Sequence, residues 1–292
     1  MDIIQIEIWV LILWFLYLIL ILKYKQKYKF NLLISWLIYA FGFELINMHW
    51  TDHYTYYNYE IWILWLPLYV PLVWSMMITH ADILIKSYTE KLSIKNTIFT
   101  SFLAWLYILS IDFIVDVVAV DMWAWSRNLL TSQWWYWVSY WNFFWRFIVV
   151  FIFFLFWQNV YTRYKHSIYR IFAVIVSSLF TQTAIIVLPQ YLVSNNNYNE
   201  QVYFPEFVYI QIAICLIVIY GFIWKYKTIS KSLVISDVIF VFFIWCVHTI
   251  CWRYIYTNWL PYDIFITFAI LCLLYCIEIF IVLYKYWNRI IK

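Results

Sequence analysis

Two aspartates with helical spacing lie near the end of a long apolar segment. Asp112 and Asp116 stand four residues apart in the stretch DFIVDVVAVDMWAWS, which also contains Trp123 and Trp125. Residues spaced i, i+4 share one face of a helix, and two carboxyl groups so close in a medium of low dielectric constant are predicted to share one proton. Such a pair can act as a general acid, while electron-rich indole faces can stabilise a cation.

The composition places this chemistry in a membrane. Of the 292 residues, 67% are hydrophobic, 25% are aromatic and 12% are charged, whereas a typical soluble domain is roughly 25% charged. The basic residues form short clusters between apolar segments, so lipid headgroups explain the net charge of +4 and no nucleic-acid partner is expected. The five cysteines lie in apolar segments without zinc-ligand spacing, so neither a metal site nor a structural disulfide is expected.

Apolar segments long enough to cross a bilayer are the elements that must position these groups. About 20 apolar residues span roughly 30 Å of hydrocarbon, and a window of that length predicts nine transmembrane helices. The predicted spans are Ile3 to Leu22, Phe30 to Met48, Ile61 to Ile78, Thr97 to Val120, Trp137 to Trp157, Ile171 to Val193, Phe207 to Trp224, Leu233 to Cys251 and Ile264 to Tyr284. The sequence therefore predicts an all-α fold, a polytopic transmembrane helical bundle in which residues 1–292 form a single domain.

Basic residues fall in every second connection between the predicted spans. Lysine and arginine in short loops are retained in the cytoplasm, and the basic clusters are residues 23–29, 86–95, 163–170, 225–231 and 285–292. The intervening connections carry most of the acids, with Arg127 and Arg253 as their bases. This alternation predicts a multi-pass protein of the cell membrane, with the N-terminus outside and the C-terminus inside.

Polar side chains from several predicted spans converge on one layer. At a rise of 1.5 Å per residue, Glu44, Asp112 and His248 each lie about 21–22 Å from the inner end of their span. Asn142 lies about 8 Å below the outer end of its span, and Arg146 lies somewhat deeper. An ionisable group within hydrocarbon is costly unless it is paired or faces a cavity. The layer is therefore the predicted site, and the alternative is a set of ion pairs that only lock the helices together.

Two stretches resemble a known family, the carotenoid biosynthesis proteins that include the bisanhydrobacterioruberin hydratase. The first stretch is ELINMHWTDHYTYYNYEIWILWLPLYVPLVWSMM, and the second is DFIVDVVAVDMWAWS with its continuation WYWVSYWNFFW. The residues that match the family's motifs are Glu44, His49, Tyr54, Tyr56, Pro67, Pro71, Trp74, Met76 and Met77 in the first stretch, and Asp112, Asp116, Ala119, Trp123, Trp125 and Asn142 in the second. The resemblance covers residues 44–145, about a third of the chain.

The resemblance implies a membrane enzyme that adds water to a terminal double bond of an acyclic carotenoid, a lyase of the hydratase type. Asp112 or Asp116 would protonate the alkene. Trp123, Trp125 and Trp105 are expected to shield the tertiary cation that forms. Glu44, Asn142 and His49 are expected to position the water molecule. The other residues expected to bind substrate are Tyr54, Tyr56, Trp74, Arg146 and His248. The expected partners are the isoprenoid substrate, water and membrane lipids, and hydration needs no metal or redox cofactor.

Two other functions fit parts of the pattern. In a prenyltransferase acting on isoprenoid substrates, aspartates such as Asp112, Asp116 and Asp121 would hold Mg²⁺ and a diphosphate. The outer layer, however, offers only Arg127 and Arg146 as further diphosphate ligands. A lipid- or pigment-binding membrane protein without catalytic activity would need the acids for packing alone. Magnesium dependence would favour the first alternative, and function retained after Asp112→Asn or Asp116→Asn would favour the second.

Overall fold

Helices dominate the computed structural model of the chain. The structure describes residues 3–49, 54–57, 59–91, 97–121, 125–127, 133–135, 138–161, 167–193, 247 and 251. The helices are α1 (Ile3–Lys23), α2 (Lys27–His49), α3 (Tyr69–Lys91), α4 (Thr97–Asp121), α5 (Tyr140–Val160) and α6 (Ser167–Val193). The strands are β1 (Tyr54–Tyr56), β2 (Trp62–Ile63), β3 (Leu66–Pro67), β4 (Trp125–Arg127), β5 (Gln133–Trp135) and β6 (Val138–Ser139). Because 86% of the described residues are helical, the predicted helical class is confirmed for this part of the chain.

The first two helices meet the length and composition required to cross a membrane. These segments are Ile4–Lys23 within α1 and Lys27–His49, which is α2. The turn between the helices contains Lys25 at a φ of 52°. The N–H groups of Lys25 and Gln26 donate to the carbonyls of Leu22 and Ile21 at 3.0 and 2.9 Å. This pair of bonds is the Schellman motif, which ends α1 and reverses the chain within a few residues.

Five of the helices close into a ring around an aromatic core. α2 packs against α3, α3 against α4, α4 against α5 and α5 against α6, and α6 returns to α2, while α1 packs against α2 and α3. Trp36 meets Phe153 edge-to-face with ring centroids 4.4 Å apart, and Trp157 stacks on Tyr161 at 4.3 Å. Such pairs each contribute about 0.5–1.5 kcal/mol beyond the burial of their area. Aromatic packing thus takes the place of glycine, of which the sequence has only two residues.

The prediction of a span over Ile61 to Ile78 is wrong at its start. Trp62–Ile63 and Leu66–Pro67 pair as the antiparallel hairpin β2–β3, and α3 begins only at Tyr69. A short apolar segment carries no periodicity that separates a helix from a hairpin. The turn of this hairpin places Leu64 and Trp65 at φ values of 52° and 68°, a backbone region that costs a residue other than glycine roughly 1–2 kcal/mol.

The later start of α3 changes which residues the bundle contains. Pro71 lies in the first turn of the helix, where its missing N–H leaves no bond unmade. The helix then continues to Lys91 and includes His80 and Asp82, both of which are buried. The other five described helices begin and end within four residues of their predicted bounds. The predicted spans from Phe207, Leu233 and Ile264 onward lie outside the described residues, apart from residues 247 and 251.

Two connections between helices pair with each other at one end of the bundle. Strand β1, between α2 and α3, runs antiparallel to β4, between α4 and α5, so that Tyr54 is opposite Arg127 and Tyr56 is opposite Trp125. We call this end of the bundle, defined by residues 54–56 and 125–127, the ribbon end. The pairing places both connections on the same side of the bundle.

A close approach between α2 and α6 depends on Gly42. A Cβ atom built on Gly42 would lie 3.1 Å from Cδ1 and 3.2 Å from Cδ2 of Leu179. We expect Gly42→Val to lower the free energy of unfolding by about 1–3 kcal/mol, because the added methyl groups would push Leu179 out of its position. Circular dichroism during unfolding in mixed micelles measures this. Leu179→Ala in the same chain is expected to cancel most of the loss, and additive losses in the double variant would contradict the close approach.

Candidate functional site

Four helices bring predicted site residues to one level at the ribbon end. Glu44 lies five residues before the end of α2, and Asp116 lies five residues before the end of α4. Trp74 and Arg146 lie five and six residues after the starts of α3 and α5. At 1.5 Å per residue, all four residues are about 8 Å from the ends of their helices. Because neighbouring helices run in alternating directions, these four ends are the ones that meet at the ribbon end.

Asp116 and Arg146 form an ion pair across the α4–α5 contact. Nη2 of Arg146 donates to Oδ1 of Asp116 at 2.6 Å, and the two side chains are 15% and 5% exposed, respectively. A charge-assisted bond of this length in a mostly buried position is among the stronger polar contacts in a protein. The sequence analysis names Asp116 as the helical neighbour of Asp112 and places Arg146 somewhat deeper than the predicted layer, and the structure shows that Asp116 and Arg146 are direct partners.

Arg146 also lies over an aromatic ring of α3. Its Cζ is 4.9 Å from the ring centroid of Trp74, which is buried. A guanidinium within about 6 Å of an indole face is attracted by the electron-rich ring, and the attraction grows when water is excluded. Arg146 therefore holds three helices together, because α5 carries it, α4 supplies the carboxylate and α3 supplies the ring.

Glu44 accepts a hydrogen bond from strand β1 at the ribbon end. The hydroxyl of Tyr56 donates to Oε2 of Glu44 at 3.0 Å, and the Glu44 side chain is buried on α2. Tyr56 belongs to β1 and stands opposite Trp125 of β4. The hydrogen bond thus connects the buried carboxyl to the strand pair at the end of the bundle, and it places one predicted substrate-binding residue, Tyr56, beside a predicted catalytic one.

The charges of the Asp116–Arg146 ion pair act on the Glu44 carboxyl. Glu44 interacts electrostatically with both Arg146 and Asp116. We refer to Glu44, Tyr56, Asp116 and Arg146 as the polar cluster. It combines two carboxyl groups, one guanidinium and one phenol at the edge of an aromatic core. Such a set can donate, accept and relay protons at a buried position.

Other predicted site residues occupy different places. His49 is exposed at the last residue of α2, five residues beyond Glu44. Trp105 is buried on α4 but lies eleven residues before Asp116, so it is about 16 Å away along the helix axis. Tyr54 lies in β1 opposite Arg127. The structure therefore brings Tyr54 to the ribbon end, but it separates Trp105 from the polar cluster.

The backbone positions of two further predicted residues follow from their helices. Asp112 precedes Asp116 by one helical turn within α4, so the i, i+4 spacing read from the sequence is realised on a continuous helix. Asn142 precedes Arg146 by one turn within α5. Trp123 and His248 lie outside the described residues.

The prediction from sequence does not include Glu7, a buried carboxyl of α1. Oε2 of Glu7 accepts hydrogen bonds from the backbone N–H groups of Glu60 at 3.1 Å and Ile61 at 3.3 Å. Tyr69, the first residue of α3, interacts electrostatically with both Glu7 and Glu44. The acid in the second turn of α1, IIQIEIW, was the available signal, because an ionisable residue in an apolar segment requires a partner.

A second set of buried polar residues lies toward the opposite end of the bundle. The Tyr28 hydroxyl donates to Oδ2 of Asp82 at 2.8 Å and accepts from Nε1 of Trp157 at 2.6 Å. Lys29 and His80 are buried as well, and the His80 ring lies 5.8 Å from that of Tyr107. The sequence prediction ended the third span at Ile78 and so left these residues of α3 outside the membrane. The proline in the first turn of α3 was the signal that could have shifted the span.

Comparison with known proteins assigns no function to this chain, so the function is inferred from the chemistry of the polar cluster. The chain matches no protein-family model, no curated protein and no solved structure. Among the described residues, no group of three or more His, Cys, Asp or Glu side chains is arranged to hold a metal ion. What these residues do present is a set of proton donors and acceptors beside aromatic rings.

Proposed function

We propose that this chain is a multi-pass membrane enzyme that adds water to a terminal double bond of an acyclic carotenoid. In this proposal, about nine spans place the N-terminus outside and the C-terminus inside, and the ribbon end faces outward. The observation that carries it is the meeting of the two stretches that resemble the carotenoid biosynthesis proteins. Tyr56 of the first stretch stands opposite Trp125 of the second, and Glu44 interacts electrostatically with Asp116.

The first chemical step is protonation of the alkene. A carboxylic acid transfers its proton to the less substituted carbon, and the electron pair of the double bond forms the new C–H bond. The product is a tertiary carbocation. We assign this transfer to Asp112, because the ion pair with Arg146 already engages Asp116 as an anionic acceptor. Aromatic faces stabilise the cation, and we assign this role to Trp125 of β4 and to Trp123, two residues before it in the sequence.

The second step is capture of the cation by water. The water oxygen forms the C–O bond and loses one proton to the Glu44 carboxylate, whose position the hydroxyl of Tyr56 fixes at 3.0 Å. Transfer of that proton back to Asp112 through the polar cluster restores the starting state, so that the reaction consumes one water molecule and no net proton. The cluster lies about 8 Å from the ends of its helices, which supports access for water from the ribbon end.

One observation favours a second candidate, a lipid- or pigment-binding protein without catalytic activity. The ion pair of Asp116 and Arg146, with the indole of Trp74 beneath the guanidinium, is already satisfied within the protein. Such a contact can stabilise helix packing without taking part in any reaction. The two candidates make different predictions for a variant that lacks a carboxyl group near this pair. The hydratase candidate predicts that the variant no longer changes the pigment, whereas the binding-protein candidate predicts no such effect.

Expression of the chain in a host that makes lycopene or bisanhydrobacterioruberin tests the proposal. We expect pigments heavier by the mass of one water molecule, and we expect this gain to disappear in Asp112→Asn. Glu60→Gln is the matched control, because it makes the same chemical change at an exposed carboxyl of the ribbon end. Unchanged pigments from a folded protein would contradict hydration of these substrates. A product that forms only with added Mg²⁺ would instead favour the prenyltransferase alternative.

A further inference from the structure

The turn of the β2–β3 hairpin exposes four large apolar side chains in a row. Trp62, Ile63, Leu64 and Trp65 are between 47% and 62% exposed. The rings of Trp62 and Trp65 stack with centroids 4.8 Å apart and planes only 10° from parallel. None of the four side chains carries a charge. We call these four residues the hairpin tip.

The base of the hairpin is held firmly by the bundle. Leu66 and Pro67 are buried, and the N–H of Leu68 donates to the carbonyl of Ile61 at 2.9 Å. The buried carboxyl of Glu7 accepts the backbone N–H groups of Glu60 and Ile61. The tip is therefore presented at a fixed place beside the second turn of α1.

The residues of the tip are poorly matched to the turn that they form. A two-residue hairpin turn with positive φ at both central positions favours Asn-Gly or a similar pair. Here these positions are Leu64 and Trp65, with φ values of 52° and 68°. Reversal of the chain alone does not account for two bulky apolar residues in this backbone conformation. A strained conformation that persists points to a requirement beyond local structure.

The surface next to the hairpin is apolar along the length of α1. Its exposed side chains include Ile8, Trp9, Ile12, Phe15, Leu16, Ile19 and Leu22, and the helix is long and apolar enough to cross a membrane. Glu7, which holds the hairpin, directly precedes the first two of these residues. The tip thus stands at the end of a helix face whose composition fits lipid.

We propose that the hairpin tip inserts into the bilayer leaflet at the ribbon end and contacts phospholipid there. Trp62 and Trp65 lie at the level of the headgroups, where tryptophan is favoured, and Ile63 and Leu64 reach the upper part of the acyl chains. The hairpin thereby anchors the first turns of α1 and α3 at the edge of the membrane. This inference rests on the membrane embedding in the proposed function, but it is independent of the hydration chemistry.

Photo-crosslinking in phosphatidylcholine vesicles tests the contact. The photoreactive residue p-benzoylphenylalanine replaces Leu64 in one variant of the full chain, and mass spectrometry measures phospholipid adducts after irradiation. We expect an adduct yield about tenfold higher than from the same residue at Glu60, because Glu60 is an exposed polar position just before the tip. The same residue at Ile12, in the middle of the exposed face of α1, serves as the positive control.

The pattern of adducts separates the possible failures. Adducts at positions 12 and 64, with few at position 60, support the proposal. Adducts at position 12 but not at position 64 would overturn the insertion of the hairpin while leaving the membrane embedding intact. Crosslinks from position 64 to a second copy of the chain would also overturn it, since the tip would then be a protein interface. No adducts at position 12 would overturn the embedding itself, and with it this inference.

Discussion

Arg146→Met is expected to lower the free energy of unfolding by about 3 kcal/mol, because the substitution leaves the buried carboxyl of Asp116 without its counter-charge. The same change also removes the cation that lies over Trp74. Unfolding in mixed micelles, followed by circular dichroism, measures the difference. Lys27→Met removes a positive charge at an exposed position of α2, so it serves as the control and is expected to change stability by less than about 0.5 kcal/mol.

The double variant Asp116→Leu/Arg146→Met separates the ion pair from its two members. Removal of both charges leaves neither member of this pair uncompensated, and replacement of a buried pair by apolar residues is often neutral or stabilising. We therefore expect the double variant to recover most of the stability lost in Arg146→Met, with a coupling free energy of roughly 2 kcal/mol. Losses that add within about 0.5 kcal/mol would show that the two residues do not interact in the folded protein.

Glu44→Gln is expected to reduce carotenoid hydration by about 10²- to 10⁴-fold, which is the usual contribution of a positioned acid or base. Glutamine keeps the shape of the side chain and can still accept the hydrogen bond of Tyr56, but it cannot take the proton of the attacking water. The yield of hydrated pigment per folded protein, measured over time in the carotenoid-producing host, gives the rate. Glu60→Gln is again the matched control and should leave the rate unchanged.

Tyr56→Phe tests whether the hydroxyl of Tyr56 contributes to hydration by orienting the carboxyl of Glu44. Loss of one hydrogen bond to a charged group is worth roughly 1.5–3 kcal/mol, or at least about tenfold in rate. If the hydroxyl acts only by orienting the carboxyl, Tyr56→Phe added to Glu44→Gln should cost nothing further. Full hydration by Glu44→Gln, from a protein with unchanged stability, would show that the Glu44 carboxylate does not take the proton of the attacking water and would contradict this assignment.

The limits of prediction from sequence are clearest at α3. The bounds of α1, α2, α4, α5 and α6 follow from apolar length and flanking basic residues, because both are local properties of the chain. Residues 61–68 are as apolar as a transmembrane helix, yet they contain a hairpin, and Glu7 of α1 accepts the backbone N–H groups of Glu60 and Ile61 where this hairpin begins. That partner is more than fifty residues away in the sequence, so no local pattern could reveal it.

The sequence by itself determined the helical class, the i, i+4 spacing of Asp112 and Asp116 and the level of Glu44, since these depend on helix geometry alone. Only the tertiary structure decided that Asp116 pairs with Arg146, that Tyr56 reaches Glu44 and that β1 lies beside β4. The physical reason is that depth along a helix follows from counting residues, whereas the choice of partner depends on how neighbouring helices are rotated and how their connections pair.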